Sequence, residues 1–442
     1  MLKGKSIATV SIIVGIIIVT TIIDTSIVGI VTSSGGLTAS TRDLGFFAFT
    51  VILLAVGQFI IHHFVQTEDL KNGHKIANVK LYPIGTLVSI LVYILVTLLA
   101  FTFVEMIFTK SYHLIVIKLV ILISYGTSFC LLAILAWRLL SWLKTSFNLN
   151  VFLYFLAICL VSINAIITIA YLYNEFSDNP DVIKPRRSLP GLFASPDVIF
   201  GTAYTLTSVM SFVMMWLATA VSLRNYSSKL AKIKFWIIIV LPLAYFLGQF
   251  QPLILYSFSD FRTSDPITFG IVYNIVISAS KPLGAVLFGL AFWQTSKSIR
   301  NNTVKKYLII SAYGMTLLFT SNQPLGLIFA PYPPFGLSTI SYMSFASYLI
   351  LAGIYASAIS VANDTNLRRS IKDSVNKRTN LLNDIGTAQM KNQFESMIMR
   401  QTRLLSSKME NETGIKASLE EDELKRYIDI AIQEAKNAIR KK

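Results

Sequence analysis

The chain has 442 residues, of which 54% are hydrophobic and only 14% charged, with mean hydropathy +0.61. A soluble globular chain carries about 25% charged residues, so this composition excludes a string of water-soluble domains. The formal net charge of +16 does not point to nucleic acid, because most Lys and Arg fall in short gaps between apolar runs and in the last eighty residues, where a membrane with an anionic inner leaflet accounts for them.

A membrane-spanning helix needs about 20 mostly apolar residues. Ten stretches qualify in chain order: 7–30, 46–65, 81–103, 114–135, 151–173, 198–223, 233–258, 267–293, 307–329 and 338–361. The first follows Lys3 and Lys5 and exceeds the ~7–15 residues of a cleaved signal's apolar core, so it reads as a retained signal anchor. The fold expected is an all-α polytopic bundle of about ten spans over residues 1–362, followed by a cytosolic helical tail over 363–442.

The gaps set the orientation. Alternate gaps carry Lys3 and Lys5; Lys71, Lys75 and Lys80; Arg138 and Lys144; Arg224, Lys229, Lys232 and Lys234; and Lys297, Arg300, Lys305 and Lys306. The opposite gaps hold only Arg42, Lys110, Lys184, Arg186, Arg187 and Arg262, set among acidic residues. By the positive-inside rule this puts both termini in the cytoplasm of a multi-pass cell-membrane protein. The gap 174–197 contains Pro180, Pro185, Pro190 and Pro196 and is too short for a folded domain.

The last span carries small residues, Ala352, Ala356 and Ser360, at four-residue spacing, which permits close helix packing. The tail changes composition abruptly, with sixteen basic and twelve acidic residues. Leu367, Ile371 and Val375 continue a helical stripe, and Phe394, Met397, Ile398, Leu404 and Leu405 resume it. After Gly414, Ser418 and Glu421 form a capping box. Leu424, Tyr427, Ile428, Ala431, Ile432, Ala435 and Ile439 then make an apolar face. That face needs a partner: the preceding helix, a second subunit, the membrane surface or another protein.

Two segments carry a family likeness. The stretch from Tyr332 to Lys372, with Gly336-Leu337-Ser338-Thr339-Ile340-Ser341, and the run Leu382-Asn383-Asp384-Ile385-Gly386-Thr387-Ala388-Gln389 resemble multi-spanning membrane proteins of ammonia-oxidising archaea. The resemblance implies a membrane bundle and no particular activity.

The sharpest chemical feature is a recurring Pro-Leu preceded by polar residues. It occurs at Gln249-Phe250-Gln251-Pro252, at Lys281-Pro282 and at Asn322-Gln323-Pro324. Proline removes a helix hydrogen bond and kinks the helix, and in lipid the freed carbonyl needs a donor from within the protein. Pro252, Pro282 and Pro324 are the expected kinks. Asp24, Gln249, Gln251, Lys281, Asn322 and Gln323 form the candidate ligand or ion pocket, in the outer half of the bundle. Asp24, the sole acidic residue deep in a span, is the expected ion-pair partner of Lys281. A structural pair that merely repairs the kinks is the competing reading.

Other features are weaker. His62 and His63, with Glu68, Asp69 and His74, read as an interfacial cluster rather than a metal site. Cys130 and Cys159 read as packed thiols. No phosphate-cradling loop or zinc-protease motif is present, so no cofactor, metal or catalytic residue is expected. Two functional classes stay open: a receptor or signal transducer with an outward-facing pocket and the tail as output, and a secondary transporter of a small solute or ion. A structural or assembly subunit is a third.

Overall fold

The computed structural model describes residues 2–33, 41–76, 81–145, 147–177, 181–183, 198–224, 232–248, 259–297, 299, 301–324, 327–328, 332–363 and 380–413. Gln249, Gln251, Pro252, the 364–379 stripe and the 418–442 helix expected from sequence lie outside the described residues.

The described chain is almost wholly helical. In order, its helices are α1 (Leu2–Ser33), α2 (Thr41–Ile76), α3 (Leu81–Thr109), α4 (Leu114–Thr145), α5 (Leu149–Glu175), α6 (Val198–Leu223), α7 (Lys232–Gly248), α8 (Ser259–Ser264), α9 (Pro266–Lys297), α10 (Asn302–Ser321), α11 (Leu337–Asn363) and α12 (Asn380–Thr413). Two two-residue strands, β1 (Tyr112–His113) and β2 (Val182–Ile183), pair antiparallel and join the α3–α4 and α5–α6 connections.

The helix ends have local causes. Asn148 and Asn301 cap α5 and α10. Each side-chain oxygen accepts from two first-turn N–H groups, at 2.7 and 3.4 Å for Asn148 and 2.9 and 3.3 Å for Asn301, donors that otherwise lack partners. After α3, Lys110 takes a left-handed conformation (φ 51°), and the Glu105 carboxylate bonds the His113 ring across the turn. Just before α11, Gly336 has φ 85°, a geometry glycine adopts without steric cost.

Among the described residues, eight helices are long and apolar enough to cross a membrane: α1 to α6, α9 and α11. The chain is a multi-pass membrane protein of the all-α class. Two expected spans are not among these eight. α7 covers the first part of the expected span 233–258, and residues 249–258 lie outside the described residues. α10 begins with polar Asn302 and Thr303 and the pair Lys305 and Lys306, and stops at Ser321 rather than running to 329.

The packing explains how α10 can be so polar. Helices α1, α2, α3, α4, α5, α6 and α9 each touch the next, and α9 returns to α1, making a closed ring. Inside it stand α10, against α9, α1 and α11, and α11, against α10, α4, α3 and α2; α7 lies against α9 and α6. Every residue from Tyr307 to Asn322 is buried, as is nearly all of α11. The ring helices turn large apolar side chains such as Ile12, Phe49, Leu87, Ile115 and Ile199 outward, the surface that lipid requires.

Hydroxyl groups join the two layers. Ser128 of α4 meets Ser347 of α11 at 2.6 Å, and Ser11 of α1 meets Tyr313 of α10 at 2.8 Å. His62 bonds Ser89 of α3 at 2.8 Å and packs edge-on against Phe345. It is therefore a packed interhelical residue.

The bundle has two distinguishable ends. At the strand end, Tyr112 stacks on Tyr332, with ring centroids 5.9 Å apart. Burial, with the Tyr332 phenol beside it, pushes the Tyr112 phenol well above its ordinary range, so it stays neutral. At the opposite end α12 packs on α11, α4 and α5. Ile385, Ala388 and Gln389 are buried there, and the Trp142 indole donates to the Gln389 side-chain oxygen at 2.9 Å. The first described part of the tail is thus docked on the bundle.

Candidate functional site

Asp24 and Lys281 are both buried charges, and each is held by a helix terminus. Asp24, near the strand end of α1, is fully buried. Its Oδ2 accepts from the Gly336 backbone N–H at 3.1 Å, Ser338 Oγ at 2.9 Å and Thr339 Oγ1 at 2.8 Å, and its Oδ1 from Thr50 Oγ1 at 3.4 Å. These donors, Thr50 of α2 apart, are the first groups of α11. A carboxylate there answers both the unsatisfied N–H groups and the positive end of the helix dipole. Asp24 is a cap supplied by a different helix.

Lys281 does the converse for α10. Its ammonium donates to the Asn322 carbonyl at 2.8 Å and to the Tyr204 hydroxyl at 3.1 Å, with the Tyr204 ring centroid 5.5 Å away. Asn322 is the C-cap of α10, where free carbonyls and the negative dipole end favour a cation. Among the described residues, no carboxylate pairs with Lys281, and no ion pair joins it to Asp24. The opposite-charge pair expected from sequence is replaced by two separate charge-to-helix-end contacts. α10 and α11 are consecutive, so the two charges brace the two ends of one helical hairpin at the strand end.

Around Lys281 a polar network crosses five elements. Asn322 Nδ2 donates to Asn164 Oδ1 of α5 at 3.0 Å, and Asn164 Nδ2 donates to Thr207 Oγ1 of α6 at 2.9 Å and the Tyr204 carbonyl at 3.3 Å. The Tyr125 hydroxyl of α4 donates to Asn322 Oδ1 at 3.5 Å. Tyr171 stacks on Tyr204 with centroids 5.4 Å apart.

Pro282 lies inside α9. Its missing N–H would have bonded the Ser278 carbonyl, and Gln323 Nε2 donates to that carbonyl at 3.3 Å and to the Thr320 carbonyl at 3.1 Å. Gln323 thus repairs the proline break. Pro324 does not kink a helix: it sits in a turn beyond the end of α10, and its carbonyl accepts from Leu327. Pro242, not singled out by sequence, lies inside α7.

Of the candidate residues, Lys281, Asn322 and Gln323 gather in one layer, and Asp24 belongs to the neighbouring α11 cap. Asn164, Tyr125, Tyr204 and Thr207 complete the layer and were not among the expected residues. Asn164 had a visible signal, an amide in the middle of an apolar run; the tyrosines and threonine had none. Compared with known proteins, the chain matches no family model, no curated protein and no solved structure.

Proposed function

We propose that the protein is a membrane signal transducer: the Lys281–Asn322 layer senses a small ligand on the extracellular side, and α12 is the cytoplasmic output. The observation that carries this reading is the placement of α11. One buried helix begins at the Asp24 cap, runs beside α10 and ends against α12, with Gly386 of α12 close-packed on Val361. A rearrangement at Asn322 displaces α10 against α11, and a rigid enclosed helix passes that displacement to the tail.

Hydrogen exchange on the full chain in lipid nanodiscs tests the coupling. Lys281→Met should accelerate exchange in residues 380–390 severalfold while α2 and α3 keep their protection. Unchanged exchange in α12, with the layer itself perturbed, would sink the transducer reading. A secondary transporter is the second reading. What favours it is that helix α10 ends beside Lys281 and the chain continues through Gln323 and Pro324 without helical structure, as substrate sites in transporters do.

The orientation rests on the charge alternation and has its own test. In a variant without Cys130 and Cys159, a cysteine at Ser177 should react with an impermeant maleimide on intact cells. One at exposed Phe147, between α4 and α5, should react only after permeabilisation. The reverse pattern would invert the topology.

A further inference from the structure

We infer that the layer around Lys281 binds a carboxylate, an inference that rests on reading this layer as the ligand site. The two buried charges differ in how completely they are satisfied. Asp24 accepts four hydrogen bonds and is filled by its own protein. The Lys281 ammonium has three N–H donors, and among the described residues its two acceptors, a carbonyl and a phenol, are neutral.

A second donor is under-used in the same place. The Tyr125 hydroxyl is fully buried, and its acceptor, Asn322 Oδ1, lies at 3.5 Å, beyond the 2.5–3.0 Å of a good O–H···O bond. Both donors converge on Asn322, one from α9 and one from α4. The Asn322 and Asn164 amides are already spent on each other and on Thr207 and Tyr204. What the layer lacks is an acceptor that carries negative charge and has two oxygens. A carboxylate supplies both: one oxygen to Lys281, the other to Tyr125, with charge-assisted bonds. The single cation sets the valence, since a phosphate or sulfate would bring a second, uncompensated charge into a buried site.

The acid can arrive from water or from the bilayer, and the test separates these sources. The full chain in nanodiscs is titrated with radiolabelled acetate, and in a parallel series with radiolabelled oleate, at constant ionic strength in sodium chloride. Saturable binding of acetate assigns a water-borne acid, and of oleate alone a lipid-borne one. Lys281→Met should abolish binding. Tyr125→Phe, which keeps the ring and deletes only the donor, should weaken it about tenfold, with gel filtration showing both variants folded. Because Lys281→Met can fail to fold, Tyr125→Phe decides on its own.

The inference is overturned if folded wild-type protein binds neither acid saturably, if chloride displaces them stoichiometrically, or if Tyr125→Phe binds as wild type does. Should neither acid bind while Lys281→Met still alters exchange in α12, the carboxylate falls and the transducer stands. Carboxylate binding with an unresponsive α12 does the reverse: the binding site stands and the transducer falls.

Discussion

Gly353→Val should break the bundle at its centre. A Cβ at Gly353 would lie 2.7 Å from the Ser311 backbone nitrogen and 2.7 Å from the Tyr307 carbonyl oxygen. Across the same seam, a Cβ at Gly314 would lie 2.7 Å from the Ile350 backbone nitrogen. The obstacles are backbone atoms of a facing helix, which cannot rotate away. α10 and α11 therefore touch at two glycine contacts, one contributed by each helix, and the ring around them leaves nowhere to retreat. Overpacking a tight core costs about 1–3 kcal/mol and sometimes more, and valine here belongs at or above the top of that range. Gly126→Ala is the internal control, because a Cβ there meets nothing within 4 Å and alanine is the better helix former. Tryptophan fluorescence during heating in mild detergent reads both. If Gly353→Val melts together with Gly126→Ala, the helices are not in backbone contact.

Asp24→Ala should be the second most damaging single change. It leaves the Gly336 N–H buried without its acceptor, worth roughly 1–3 kcal/mol, and removes a carboxylate from a helix N-terminus, worth up to about 2 kcal/mol more. The Ser338 and Thr339 hydroxyls can turn to backbone carbonyls, so they add little. Asp24→Asn should cost less, since it keeps one acceptor oxygen. Combined with Lys281→Met, Asp24→Asn should give an additive loss, because the two residues share no partner. A coupling well above ~0.5 kcal/mol in that cycle would reinstate a direct Asp24–Lys281 interaction.

The sequence made the charges conspicuous but not their partners. Asp24 and Lys281 stand out because ionisable side chains inside apolar runs are costly and few. Opposite sign makes each the natural candidate for the other, yet a helix terminus carries roughly half a charge, and the ends of α10 and α11 are nearer. No spacing rule links residue 24 to residues 336–339, or residue 281 to residue 322; only the assembled ring does.

The spans were legible wherever a helix faces lipid, since lipid contact demands an unbroken apolar run. From Tyr307 onward α10 is hidden by protein, so its serines and threonines are permitted there, while Lys305 and Lys306 stand at its half-buried start; length alone suggested a longer span. The docked base of the tail was illegible for the opposite reason. Its buried contacts are one isoleucine, Ile385, and a few small or polar groups, Gly386, Ala388 and Gln389, set in a hydrophilic stretch. The Gln249–Pro252 segment and the helix expected over 418–442 lie outside the described residues.

Being enclosed also has a consequence for how the molecule is made. A ribosome delivers α1 to α9 before α10 and α11, so the wall is built before the pillar it surrounds. Until α10 and α11 emerge, Asp24 has no helix end to cap and Asn164 no partner at Asn322. The early helices must wait in the bilayer with polar groups exposed to one another, to water or to an insertion factor. The final hairpin, glycine-seamed and rich in serine and threonine, is shaped to the gap left for it. α10 and α11, made after the ring around them, are thus the helices that close it.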